Sequence, residues 1–432
     1  MFRGCDTLEV YEVYGRTRLR GAVRISGAKN AVLPMLAATL LTAKTCSIVD
    51  WPDLRDVHVM IKILQSLGAE VDFETDEIGR KVLNVTAREL VTHEVPESLM
   101  RQMRSSIFLM GPLLGRLRKV RVVYPGGCAI GPRPIDLHLS SLQALGVKID
   151  ERGGYIDASS PKLRGAEIHL DFPSVGATEN IIMAAVTAKG QTIIRNAAKE
   201  PEIVDLQNFL NGMGANIKGA GLDIIRIEGT DMLDGTRHTV IPDRIEAGTF
   251  LAAAGITSGE VRIENCIPEH IESIIAKLTE AGVEIANAGD HTLWARGPRR
   301  LRAVDFKTLP YPGFPTDMQP QVMALMSVAN GTSVITETIF ENRFKQGEEL
   351  KRMGANIKSE GRTAVIKGVD TLFGATVEAS DLRSGAALIL AGLAADGITR
   401  VEGCHHIERG YELIEQKFGN LGASVKRVTV FH

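Results

Sequence analysis

The sequence predicts an α/β protein of two domains, each built from three copies of a β-α-β-α-β-β unit. Three observations carry this. A five-residue phrase (apolar, Gly, Ala or Val, polar, Ile or Val) recurs six times: Leu67-Gly-Ala-Glu-Val71, Leu145-Gly-Val-Lys-Ile149, Met213-Gly-Ala-Asn-Ile217, Ala281-Gly-Val-Glu-Ile285, Met353-Gly-Ala-Asn-Ile357 and Leu421-Gly-Ala-Ser-Val425. Its glycines stand at 68, 146, 214, 282, 354 and 422, at intervals of 78, 68, 68, 72 and 68 residues, so one supersecondary unit was copied six times. Each phrase is preceded by an Ala-rich apolar stretch with no polar face. Finally, 432 residues exceed one ordinary core, which divides the six units three and three.

The elements follow in order within each unit. The apolar stretches are 30–41, 105–114, 178–188, 245–256, 317–328 and 385–395, and they read as helices buried on all sides. Gly or a polar pair such as Lys189-Gly190 or Asn330-Gly331 ends them. Short alternating strands come next, at 46–49, 120–123, 192–194, 261–263, 333–335 and 399–401. An amphipathic helix then places Val57, Ile61, Leu64 and Leu67 on one face in the first copy, and Ile271, Ile274, Ile275, Leu278 and Ala281 in the fourth. The recurrent glycine closes that helix with positive φ, and the residues after it open a strand with a hairpin partner such as 225–227 or 364–366. An open solenoid fits less well, because wholly apolar helices require enclosure.

Composition bounds the function. A net charge of −2, with 44% hydrophobic and 24% charged residues, carries no basic excess for nucleic acid and no block for a membrane surface. Five cysteines without CxxC spacing read as free thiols of a reducing, cytoplasmic compartment. No signal peptide and no bilayer-length apolar run is expected.

Candidate chemistry gathers where the buried helices begin. Helix N-termini attract anions, and these ones carry Lys29-Asn30, Arg104, Ser174-Val-Gly176, Asp243-Arg244, Asp317 and Arg383. Two domains facing each other by these ends would hold a multiply anionic ligand. The longest interval contains Tyr124-Pro-Gly-Gly-Cys128-Ala-Ile-Gly-Pro-Arg133, a loop in which Arg133 favours the thiolate of Cys128. Cys46, Cys266 and Cys404 lie in or beside strands and read as structural. The 72-residue interval contains Tyr311-Pro-Gly-Phe-Pro-Thr-Asp317, where Asp317 is either an N-cap or a base. Lys29 follows Ser26-Gly-Ala without Walker spacing. Arg383 and Arg409 read more simply as solvated surface charges. His405 and His406, taken as neighbours on a strand, point to opposite faces, so no metal site is expected.

Seven motifs together resemble those of the UDP-N-acetylglucosamine 1-carboxyvinyltransferase family of enolpyruvyl transferases. They are Ser26-Gly-Ala-Lys-Asn-Ala, the 124–138 loop, Ser174-Val-Gly-Ala-Thr-Glu-Asn, Pro242-Asp-Arg-Ile-Glu-Ala-Gly-Thr, Gly313-Phe-Pro-Thr-Asp-Met-Gln, Phe340-Glu-Asn-Arg-Phe and Asp381-Leu-Arg-Ser-Gly. The resemblance covers nearly the whole chain. It implies an inside-out α/β barrel in each of two domains, 26–241 and 1–25 plus 242–432 (EPSP synthase-like).

The same resemblance implies transfer of the enolpyruvyl group of phosphoenolpyruvate to the 3′-hydroxyl of UDP-N-acetylglucosamine, the first committed step of peptidoglycan synthesis. No cofactor, metal, nucleic acid or membrane insertion is implied. Cys128 becomes the proton donor, able to attach covalently to phosphoenolpyruvate and to be alkylated by fosfomycin; Asp317 becomes the base. Lys29, Asn30, Arg133, Arg383 and Arg409 hold phosphoenolpyruvate, with Lys29 and Arg409 also catalytic. Asn30, Arg104, Arg133, Pro134, Ile135, Asp136, Leu137, Ser174, Val175, Asp317 and Ile339 hold the sugar nucleotide. Asp56 and His406 match further site positions, and Phe172 stands where some members carry Lys. The alternatives are 5-enolpyruvylshikimate-3-phosphate synthase and a non-catalytic paralogue that binds the sugar nucleotide.

Overall fold

The computed structural model describes residues 7–124 and 135–431. Two compact units emerge. One takes the segment up to Ser26 together with Pro242 onwards, and the other takes the described residues between Gly27 and Ile241.

Each unit contains three sheets around three apolar helices. In the 27–241 unit the first sheet runs, in spatial order, Arg237–Thr239, Thr45–Val49, Lys81–Thr86, Glu70–Thr75; the second runs Lys119–Val123, Tyr155–Ser159, Lys148–Arg152; the third runs Glu167–His169, Gln191–Arg195, Ile224–Glu228, Asn216–Lys218. In the other unit the orders are Arg20–Arg24, Glu260–Glu264, Thr292–Arg296, Glu284–Gly289; then Phe306–Lys307, Thr332–Thr336, Thr363–Lys367, Asn356–Glu360; then Thr376–Glu378, Ile398–Glu402, Thr7–Tyr14, Val425–Phe431. In every four-stranded sheet the first strand named lies parallel to the second, and the remaining pairs are antiparallel. The three-stranded sheet has a single parallel bridge, Glu94 to Arg121, in that place. The repeat is therefore visible in the hydrogen bonding as well as in the sequence. In the last copy, strand Thr7–Tyr14 takes the position that a sequential hairpin strand fills in the others.

The recurrent glycines do what the spacing predicts. All six have φ between +85° and +105°, each one residue past the C-cap of a half-exposed helix. A side chain there would be strained, so Gly ends the helix and turns the chain into the following strand.

The apolar helices are enclosed as expected. Lys29–Ala38, Val175–Ala185, Arg244–Ile256, Gln319–Met326 and Leu382–Ala394 are buried along nearly their whole length. Each unit has its own hydrophobic core around them. Two stretches differ from the expectation. The helix expected over 105–114 opens as a 3-10 turn, Arg104–Leu109, before the α-helix Met110–Leu117. There Pro112 has no N–H to give, and buried Asn180 serves the junction, accepting from Gly111 N (2.7 Å) and donating to Ile107 O (2.9 Å). The helix expected over 317–328 likewise opens as a 3-10 turn, Thr316–Met318, and becomes α-helical at Gln319, with Pro320 in its first turn.

Among the described residues, no helix is long and apolar enough to cross a membrane.

Candidate functional site

In the 27–241 unit, Lys29 is the first residue of its buried helix, whose N-terminus has no side-chain cap. Its ammonium is almost fully buried and lies 3.3 Å from Asp56 Oδ2. Asp56 is buried in the first turn of the helix Arg55–Ser66, where the helix dipole favours a carboxylate. A buried cation at a helix start is held by a buried anion at another, and Asn30 follows it on the same turn.

Three further sequence-predicted groups belong to this unit. Arg104 opens the 3-10 turn that Asn180 supports. Asn180 also lies 3.0 Å from His138 Nδ1, on the helix Asp136–Ala144 that begins with Asp136 and Leu137 and has Ile135 as its N-cap. Ser174 is the N-cap of Val175–Ala185 and accepts from Ala177 N at 3.3 Å, so the start of that helix is set by its own hydroxyl. Phe172 is exposed, and its carbonyl accepts from Ser174 N. Asn180 thus joins the segments carrying Arg104, the 135–138 run and the Ser174 helix, a linking role for which the sequence offers no signal. Cys128, Arg133 and Pro134 lie outside the described residues.

In the other unit the charges are inverted. Asp317 sits in the turn leading into a buried helix, and its carboxylate receives two guanidiniums. Arg343 Nη2 donates to Oδ1 at 2.9 Å; Arg383 donates to Oδ2 from Nε at 3.2 Å, and its Nη2 forms an ion pair with the same oxygen at 3.1 Å. The two arginine side chains are 3% and 2% exposed and the aspartate 29%, so only the carboxylate has a face left open. Asp243 also acts on Arg383, so two guanidiniums are set against two carboxylates here. Arg343 belongs to the Phe340-Glu-Asn-Arg-Phe motif but was not singled out as a site residue; its charge type was the available signal.

Arg383 corrects the surface-charge expectation. It is buried in the first turn of Leu382–Ala394, and its guanidinium lies 5.4 Å from the centre of the Tyr411 ring. Burial alone would favour its neutral form, but Tyr411, Asp317 and Asp243 outweigh it and raise its pKa. Tyr411 is itself placed by Thr249 (3.0 Å) and by Gln321 Nε2 (3.2 Å). Burial raises the pKa of its hydroxyl against the opposing charge of Arg383.

The strand assumed for His405 and His406 is instead a helical turn, Cys404–Ile407, and the two rings lie 4.0 Å apart. Gly403, with φ of +76°, turns the chain out of the preceding strand. His406 has its pKa lowered by burial and by His405 and Arg409. Arg409, half-buried, lies two residues past this turn. Ile339 lies beyond strand Thr332–Thr336 and donates its N–H to Glu337 Oε1 at 2.8 Å.

Not every helix start is open to a ligand. Asp243 accepts from the N–H groups of Ile245 and Glu246, and Asp381 completes a capping box with Ser384. Those two ends, expected to attract anions, already hold a carboxylate of their own. Cys46, Cys266 and Cys404 are buried, and burial pushes their thiols up to about 11, 12 and 12, which suits structural rather than reactive sulfur. Among the described residues no group of His, Cys, Asp and Glu is arranged to hold a metal ion.

Comparisons with known proteins agree on one family. Residues 13–418 match the EPSP synthase family (3-phosphoshikimate 1-carboxyvinyltransferase). UDP-N-acetylglucosamine 1-carboxyvinyltransferase 1 of Symbiobacterium thermophilum is 62% identical over 97% of this chain and 95% of its own. UDP-N-acetylglucosamine 1-carboxyvinyltransferase 2 of Carboxydothermus hydrogenoformans is 55% identical over 98% and 100%. Of solved structures, the enolpyruvyl transferase NikO from Streptomyces tendae superposes with a TM-score of 0.87 at 25% identity, covering 98% of this chain and 100% of that one. An EPSP synthase from Acinetobacter baumannii superposes with a TM-score of 0.73 at 18% identity, covering 98% of this chain and 100% of that one, a likeness of fold.

Proposed function

This chain belongs to the EPSP synthase family of carboxyvinyltransferases, and we propose that it transfers the enolpyruvyl group of phosphoenolpyruvate to the 3′-hydroxyl of UDP-N-acetylglucosamine, releasing phosphate. The observation that carries this is the 52–62% identity, over nearly the full chain, to relatives named for that reaction. By contrast, the likeness to EPSP synthase structures is at 18% identity and speaks for fold alone. We place the reaction in the cytoplasm, at the first committed step of peptidoglycan synthesis, and thus upstream of cell-wall growth and division.

The reaction is an addition followed by an elimination. Protonation of carbon 3 of phosphoenolpyruvate makes carbon 2 electrophilic. The sugar oxygen bonds to carbon 2 as its own proton leaves, giving a tetrahedral phospholactoyl adduct. Loss of a proton from carbon 3 and cleavage of the bond from carbon 2 to the phosphate oxygen restore the double bond and free phosphate.

We assign Cys128 to the proton on carbon 3 and to covalent attachment, including alkylation by fosfomycin. Asp317 takes the acceptor hydroxyl: its two oxygens are fixed by Arg343 and Arg383 and its open face is where a hydroxyl proton would be received. Lys29, Asn30, Arg133, Arg383 and Arg409 are assigned to phosphoenolpyruvate, the cations to neutralise its phosphate and carboxylate. Arg104, the 133–137 run, Ser174, Val175 and Ile339 are assigned to the sugar nucleotide, with Asp56 holding Lys29 in place.

Turnover with UDP-N-acetylglucosamine and none with shikimate 3-phosphate is the expected assay result; turnover only with the latter sinks the proposal. Cys128→Ser should lose most activity near neutral pH and should not gain the mass of fosfomycin. Unchanged labelling and rate would remove Cys128 from its role.

A further inference from the structure

Beside Asp317 lies a carboxylate that no part of the reaction uses. Glu337 follows strand Thr332–Thr336 and is completely buried. Four donors converge on it. Oε1 accepts from Thr308 Oγ1 (2.7 Å), Ile339 N (2.8 Å) and Phe340 N (3.2 Å), and Oε2 accepts from Thr316 Oγ1 (2.9 Å). These donors come from three separate stretches. Thr308 directly follows strand Phe306–Lys307, which pairs parallel to Thr332–Thr336. Thr316 precedes Asp317 in its 3-10 turn. Ile339 and Phe340 begin the loop that reaches Arg343, whose guanidinium lies 5.8 Å from the centre of the Phe340 ring.

We propose that Glu337 is the positioning residue for the Asp317–Arg343 pair: it pins the turn that carries the carboxylate and the loop that carries its guanidinium partner to one buried point. Its backbone is fixed separately, donating from N to Arg362 O at 2.8 Å, so the side chain is free to serve as a clamp. A buried carboxylate costs desolvation and is retained here with both oxygens engaged. An apolar residue would fill the same space but would leave Ile339 N and Phe340 N without this acceptor. Thr308 strengthens the clamp, since its Oγ1 accepts from Thr338 N at 2.9 Å while donating to Glu337. The inference rests on the assignment of Asp317 to the acceptor hydroxyl and adds what sets its geometry.

Glu337→Gln keeps size but sets an NH2 group against donors. Thr316→Val is the milder change, removing the one hydroxyl by which the Asp317 turn donates to Glu337. Steady-state kinetics with UDP-N-acetylglucosamine and phosphoenolpyruvate would be measured for both, alone and combined with Asp317→Asn. The expected result is a fall in kcat of roughly 10–100-fold, the scale of a misplacement near 1 Å, with KM for phosphoenolpyruvate within about twofold by the same argument. In the Asp317→Asn background neither change should lower kcat further. Thermal unfolding monitors folding, and Thr316→Val keeps the test alive should Glu337→Gln fold poorly. Wild-type kcat in Thr316→Val, or losses that multiply with Asp317→Asn, would overturn the clamp while leaving the role of Asp317 intact. Full activity of Asp317→Asn itself would instead remove the assignment on which it rests.

Discussion

The two units place opposite charges at equivalent places in the same scaffold. In one, a buried lysine at the start of an apolar helix is held by a buried aspartate. In the other, an aspartate in the turn before an apolar helix is held by two buried arginines. The repeat therefore supplies a location, the entry to a buried helix, and leaves the sign of the charge to each copy. It also explains why the supports differ. The Lys29 ammonium meets the Asp56 carboxylate, whereas Asp317 has a guanidinium on each oxygen, and planar guanidinium forks provide them from different elements.

The strongest way to break this comparison is to remove the lysine. Lys29→Met should destabilise the protein by about 3–5 kcal/mol, because Asp56 would be left buried without its cation. The double variant Lys29→Met/Asp56→Asn should recover most of that stability in denaturant unfolding while activity stays lost. Recovery of both would mean that Lys29 serves the fold alone; recovery of neither would mean that the pair is not the main support.

A smaller effect should come from the other unit. Arg343→Lys keeps the charge beside Asp317 Oδ1 but loses the planar fork, so one charge-assisted hydrogen bond worth about 1.5 kcal/mol is weakened. That corresponds to roughly a tenfold fall in kcat/KM. A variant as active as the parent would show that charge alone is sufficient at this position and that the fork is dispensable.

How much of this was legible in the sequence follows from the range of each interaction. The six glycines foretold their own positive φ, since a helix end is a local event recorded within five residues. The apolar helices were legible because burial leaves its mark on every residue of a stretch. Arg383 was misjudged as a surface charge because what buries it, Tyr411 and Asp317, lies 28 and 66 residues away in sequence. Glu337 and Asn180 were invisible for the same reason: each is defined by donors or acceptors drawn from separate segments. The turn at Cys404–Ile407 was mistaken for strand because the strand ends at Glu402 and Gly403 turns the chain two residues before the first histidine.

A last contrast between the units concerns carboxylates inside the apolar helices. Glu246 on Arg244–Ile256 is buried, and Lys417 donates to it at 2.5 Å; burial still raises its pKa against that opposing charge. Glu179 on Val175–Ala185 is as deeply buried, and neither of its oxygens has a hydrogen-bond partner. Burial first, and then the charges of Glu202 and Glu200, push its pKa well above the ordinary carboxyl value of 4.5. The folded protein therefore holds this proton where the unfolded chain has released it, so folding binds protons above that ordinary value. Stability is then full below about pH 4.5 as far as this group is concerned, and it declines as pH rises toward the raised folded pKa. Glu179→Gln is neutral in both states and removes the decline. The variant should be more stable than the parent by about 1–2 kcal/mol near pH 8, with the gain shrinking as pH falls toward 5. Thermal unfolding across pH 5–8 reads this directly. A gain independent of pH would assign the effect to packing, and a loss at every pH would show that the carboxyl has a use in the fold that its lack of partners does not reveal.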